Sequence, residues 1–201
     1  MSRDPYPTGT PRHICAMTPC LKMLLLFATA AFVGACASRT ATPLTDRASA
    51  QVAGDLATLR AATASFQTLD SAVAAGYPRQ VAACLVHEHH GAMGYHHVKQ
   101  ANLGRNLEVA KPQILLYERM PDSTYRLNGV EFILPYRFLP RDSAAPTIMG
   151  QRMHQEDNLK FWYLHVWAWR DNPGGVFANF HPDVACRGSD RKVYTPFPAE
   201  R

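Results

Sequence analysis

The run Cys84-Leu85-Val86-His87-Glu88-His89-His90-Gly91-Ala92-Met93-Gly94-Tyr95-His96-His97 places five histidines within eleven residues. Imidazole is the commonest protein ligand for divalent transition metals and titrates near neutral pH, so such a run suggests metal ligation or pH sensitivity. Its spacing narrows the chemistry. In His87-Glu88-His89-His90 the later histidines stand two and three residues after the first. A zincin helix needs two histidines four apart, with the glutamate as base, so that mechanism is excluded. On an extended chain His87 and His89 share a face and can chelate together, while Gly91 and Gly94 predict that the run then becomes a loop. A His-rich loop binds Zn²⁺, Cu²⁺ or Ni²⁺ adventitiously. His87, His89, His90 and His97 are therefore read as an accessory surface site, with a plain polar loop as the alternative.

A second set is less conspicuous. Glu131 lies between Val130 and Phe132 in a run of β-formers, and His165 lies in the aromatic segment Phe161-Trp162-Tyr163-Leu164-His165-Val166-Trp167-Ala168-Trp169. A carboxylate or imidazole in such apolar company needs a partner, because an unpaired buried polar group costs a few kcal/mol. If the two strands are neighbours, Glu131 and His165 meet on one face, and His96 can join them from the preceding segment. Two imidazoles and a carboxylate suit Zn²⁺, Fe²⁺, Mn²⁺ or Cu²⁺, with positions left open for water. The same trio would serve equally as a hydrogen-bonded network that specifies the sheet. Met149, Met153 and His154 are soft-ligand candidates, more economically a loop with a gap-filling methionine. Ser143 and Ser189 lack a nucleophile-elbow context, and no Gly-rich phosphate loop follows a strand.

The elements that must position these groups fall into two regions. Thr45-Asp46 offers an N-cap for one long helix over roughly residues 47–75, with Val52, Leu56, Leu59, Phe66, Leu69 and Val73 forming an apolar stripe. Gly76 supplies the stop and Pro78 prevents resumption. Strands are expected over 81–86, 112–118, 125–134 (with a bulge or turn at Asn128-Gly129) and 159–170. The fold class is α+β: a long N-terminal helix packed on a mainly antiparallel sheet.

Met23–Val33 is an apolar run of eleven residues behind Lys22, too short to span a bilayer and the right length for a signal-peptide core. It ends in Val33-Gly34-Ala35-Cys36, which resembles a bacterial lipobox, with Cys36 the lipidated first residue. Residues 1–35 are then a lipoprotein signal peptide, 36–44 a flexible tether and 45–201 one domain. Translation from Met17 rather than Met1 would leave a compact basic region before the apolar run. Ala37 after the cysteine favours the outer membrane, facing the periplasm, and the acyl chains would be the membrane anchor. The chain carries a net charge of +5; without residues 1–35, which hold Arg3, Arg12, Lys22 and Asp4, the balance is +3. That is ordinary, and there is no basic stripe with interleaved aromatics, so nucleic acid is not an expected partner. Once Cys15, Cys20 and Cys36 are set aside, Cys84 and Cys186 remain. In an oxidising compartment they most simply form one disulfide, closing a loop of about a hundred residues. Cys84, three residues before His87, is alternatively a soft metal ligand.

Ala75-Gly76-Tyr77, Gly94-Tyr95-His96, Leu115-Leu116-Tyr117-Glu118, Gly129-Val130-Glu131-Phe132, Leu164-His165-Val166-Trp167-Ala168-Trp169 and Asn172-Pro173 before Phe177, in that order, resemble a family of small exported bacterial proteins of unassigned activity. The resemblance spans about residues 63–186. It implies a shared fold and a common site, in which His96, Glu118, Glu131 and His165 fall on typical positions. His87 to His90 do not, and His97 stands where an aromatic is more usual.

Three functions follow as expectations. The first is a lipid-anchored cell-envelope protein holding a divalent transition metal through His96, Glu131 and His165. The second is a metal-dependent enzyme on a small molecule, with Glu118 as acid or base. The third is a structural module without metal whose aromatic surface meets another envelope protein.

Overall fold

The computed structural model describes residues 44–78, 83–188 and 191–193. The expected signal peptide, Cys36 and nearly all of the tether lie outside the described residues. Among the described residues no helix is long and apolar enough to cross a membrane.

The single long helix of the sequence reading is in fact broken. Helix α1 spans Leu44–Thr63, a 3₁₀ turn follows over Ala64–Gln67, and α2 spans Leu69–Ala74. Side-chain competition for backbone groups explains the break. Thr63 Oγ1 donates back to the Leu59 carbonyl at 2.7 Å, and the Tyr117 hydroxyl takes the Phe66 carbonyl at 2.5 Å. Thr68 then caps α2, accepting from the Ser71 N–H. Gly76 ends the segment at φ +92°, and the Tyr77 N–H reaches the Ala72 carbonyl, a Schellman-type stop where one was expected.

The described residues form nine strands: β1 (Cys84–His87), β2 (Gly91–Val98), β3 (Ile114–Arg119), β4 (Tyr125–Pro135), β5 (Thr147–Ile148), β6 (Gln151–Arg152), β7 (His154–Glu156), β8 (Phe161–Val166) and β9 (Arg191–Val193). Seven form one sheet in the order β7-β8-β4-β3-β2-β1-β9, antiparallel except for the β1–β9 pair; β5 and β6 make a separate ribbon. Two expectations change here. Gly91 and Gly94 do not open a loop: they lie in β2, inside the sheet. A Cβ on Gly91 would stand 2.0 Å from the His181 carbonyl oxygen, and one on Gly94 2.6 Å from that of Tyr117. These glycines mark close backbone approach within a strand, not a turn. Strand β8 stops at Val166 rather than Arg170. The alternation that would put Trp167 and Trp169 on the face of His165 ends with it: Trp167 packs with Ala92 and Val184, while Trp169 joins the core beneath the helices and donates to Thr63 Oγ1. The bulge at Asn128-Gly129 is present, as the β3–β4 register slips by one residue there.

One face of the sheet packs against the helices. Leu115, Tyr117, Val130, Phe132, Leu164 and Val166 meet Leu59, Leu69 and Ala72 in the main core. The alternate residues face the other way, and there Ile114, Leu116, Ile133 and Tyr163 form a second apolar cluster. Cys84 and Cys186 are joined, with Cα atoms 5.5 Å apart and a sequence separation of 102. The bridge ties β1 to the C-terminal segment and removes Cys84 from the list of metal ligands.

Candidate metal centre

Register alone brings two of the three residues together. In the β4–β8 pair Glu131 stands directly opposite His165, and Ile114 of β3 opposes Glu131 on its other side. His96 of β2 is three strands from His165, a separation of roughly 14 Å in a flat sheet. The two rings nonetheless lie 5.9 Å apart, so the sheet curls and this face is concave. His96 Nε2 is 3.5 Å from Glu131 Oε2, and His165 Nε2 is 3.8 Å from Glu131 Oε1. One donor atom from each residue lies within 4.8 Å of the others, and all three side chains are buried. This is the one such group of three or more among the described residues.

Both distances exceed a hydrogen bond, which for nitrogen and oxygen closes at about 2.7–3.2 Å. The Asn179 side chain supports the His165 ring and the Gly94 backbone supports His96. Neither imidazole closes on Glu131 at hydrogen-bond distance, so the three groups form at most a loose network as they stand. Ligand bonds of about 2.1 Å set donors roughly 3.0–3.4 Å apart around a metal; the two His–Glu separations are slightly longer, and the full set, within 4.8 Å, would have to draw in to close on an ion. Ring orientation is held by packing: His165 lies edge-on to Tyr163 at 5.4 Å and to His96.

Protonation follows from burial. Desolvation, reinforced by Glu156, pushes Glu131 up to about 8. Burial takes His96 down to about 4 and His165 down to about 3. At neutral pH without a cation the site is two neutral imidazoles and a carboxylic acid. Neutral imidazole is the form that ligates, and an arriving dication would displace only the Glu131 proton.

The trio floors a cavity of about 150 Å³ whose other walls are mostly apolar. Glu156 also lines it, a group sequence reasoning missed. The signal was there: a hairpin over Asp157–Lys160 pairs Glu156 with Phe161, on the same face as Tyr163 and His165. Glu156 accepts the Asn158 N–H at 2.8 Å, and neighbouring Asp157 is gripped by Arg141 through two contacts of 2.8 and 2.9 Å. The hairpin is thereby pinned against the site.

The other candidates go elsewhere. Glu118 is enclosed by Arg126 (2.6 Å), Arg170 (2.5 Å) and Arg187 (3.2 Å) and accepts the Ala185 N–H at 3.1 Å. Burial alone would raise its pKa, but the Ala185 N–H, Arg126 and Arg170 outweigh it and hold Glu118 below the usual carboxylate range. It lies four residues along β3 from Ile114, the partner of Glu131, on the order of 13 Å, and its charge is taken up by the three arginines, so it serves as a structural anion. His97 points away from His96 into the helix side, with Nδ1 2.6 Å from the Pro78 carbonyl and its ring against Tyr117. It is not an accessory ligand. His87 and His90 do gather on the surface, with ring centroids 4.3 Å apart, while His89 is 6.2 Å from His87 and mostly exposed. Partial burial, then His90 and His89, keep His87 below its ordinary value.

Comparison of the chain with protein-family models, with curated proteins and with solved structures finds no match.

Proposed function

We propose that the protein holds one divalent transition metal ion through His96, His165 and Glu131. The observation that supports this most is the convergence of three buried ligand atoms at separations too long for hydrogen bonds and close to those of a ligand shell. Zn²⁺, Fe²⁺, Mn²⁺ and Cu²⁺ all accept such a donor set. With the lipobox-like Cys36, the ion would sit in a domain tethered to the cell envelope, as a binding protein. A second function, metal-dependent catalysis on a small molecule, is favoured by the cavity above the trio: three protein ligands leave a position where a metal-bound water would face it.

Metal stoichiometry by mass spectrometry tests the first reading. One tight equivalent is expected, lost in His165→Ala and Glu131→Gln and retained when His87, His89 and His90 are all replaced. Binding that is weak and disappears only with the loop histidines would refute it.

A further inference from the structure

The cavity has a shape and chemistry that an ion alone does not require. Met93, Val98, Ile114, Ile133 and Phe161 supply apolar wall, while the polar groups His96, Glu131, His165 and Glu156 are gathered at the trio and the hairpin beside it. Leu159, 68 % exposed, also lines it, which places the mouth at the β7–β8 hairpin. The cavity opens to solvent at that mouth, and its floor is made of ligand atoms while its walls are apolar.

We propose that the cavity is a binding site for a small, mostly apolar organic molecule whose single acidic oxygen group coordinates the metal. This rests on the metal reading above. Size sets the body: an apolar cavity of about 150 Å³ accommodates benzene, so the guest has one aromatic ring or a comparable short chain. Coordination sets the head. Three protein ligands leave a position on the ion that faces the chamber, and an oxygen donor on the guest would fill it. Glu156 in the wall disfavours a second negative charge on the guest. Short aromatic acids and phenols fit both conditions; dicarboxylates, sugars and bare apolar molecules do not.

The test loads the full-length protein with Co²⁺ and follows its visible absorption during titration with benzoate, acetate and benzene. Benzoate is expected to change the spectrum with a Kd at least about tenfold below that of acetate, the difference being burial of the ring. Benzene alone leaves the spectrum unchanged. Val98→Phe, at a half-buried wall position, should fill the chamber and bring benzoate to the affinity of acetate while one Co²⁺ is still bound. Equal affinities for benzoate and acetate in the unaltered protein would overturn the inference and leave the metal reading standing. So would a folded Val98→Phe protein that binds benzoate as before. Failure to take up Co²⁺ at all removes the metal reading and this inference with it. Should Val98→Phe not fold, the benzoate-to-acetate ratio in the unaltered protein decides alone.

Discussion

Glu118 and Glu131 are buried carboxylates on adjacent strands and on the same face of one sheet, yet the protein treats them oppositely. Glu118 has three guanidinium partners and a backbone N–H, and it is held charged. Glu131 has two neutral imidazoles and a second carboxylate nearby, with no protein cation, and it is pushed toward its protonated form. Both side chains are shielded from water, Glu131 the more deeply, and they differ above all in whether the protein itself supplies the compensating charge. Glu118 is a finished structural element. Glu131 avoids the cost by keeping its proton, and would ionise readily only beside added positive charge.

That contrast can be broken in four ways. Glu118→Ala has the largest expected effect, because it strands three arginines around a vacated buried position. A loss of about 3 kcal/mol, the lower end for a buried ion cluster since two of the arginines are half exposed, should appear in urea unfolding. Metal affinity should be unchanged in whatever fraction stays folded. Glu131→Gln should do the reverse, weakening the metal at least roughly a hundredfold while leaving the metal-free fold intact. Equal metal loss in both variants would abolish the distinction drawn between them.

Third comes pH. Glu131 is raised from 4.5 to about 8, so in the metal-free protein its contribution is complete below 4.5 and is lost as pH rises toward 8. His96 and His165 are lowered from 6.5, so theirs is present above 6.5 and is lost as pH falls toward about 4 and 3. The site therefore contributes most near pH 6.5. In chelator, unfolding free energy should fall by about 2 kcal/mol between pH 6.5 and 8 through this group. Glu131→Gln should abolish that fall and keep the acid-side loss. Below pH 8 metal affinity should climb about tenfold per pH unit, as one proton leaves for each ion bound. The smallest effect belongs to the exposed histidines. Replacing His87, His89 and His90 by Ser should move stability by no more than about 0.5 kcal/mol and spare the tight equivalent.

The exposed and buried histidines also show what could be read in advance. His165 and Glu131 stood out because apolar alternation put ionisable groups where water is excluded, and that pattern survives in β4 and β8. The Gly76 stop and the pairing of Cys84 with Cys186 were legible for equally local reasons. The strand character of Gly91–Val98 was not. Glycine is ordinarily a strand breaker, and only the neighbouring carbonyls of His181 and Tyr117 show why it is needed there. The helix break at Thr63 was hidden for a related reason, since the groups that compete for its backbone come partly from Tyr117, more than fifty residues away. Glu118 read as a candidate acid until Arg126, Arg170 and Arg187 arrived from three separate segments.

Sequence by itself determined the ingredients: an α+β domain, one disulfide, and two histidines and a glutamate in apolar surroundings. Those follow from periodicity, composition and the cost of burying charge, all of which act over a few residues. Only the tertiary structure decided that His96 belongs with Glu131 and His165, that Glu156 joins them, and that a cavity stands above. The physical reason is the curl of the sheet. It brings side chains from strands three apart to within a ligand's reach, and no local pattern along the chain encodes that curvature.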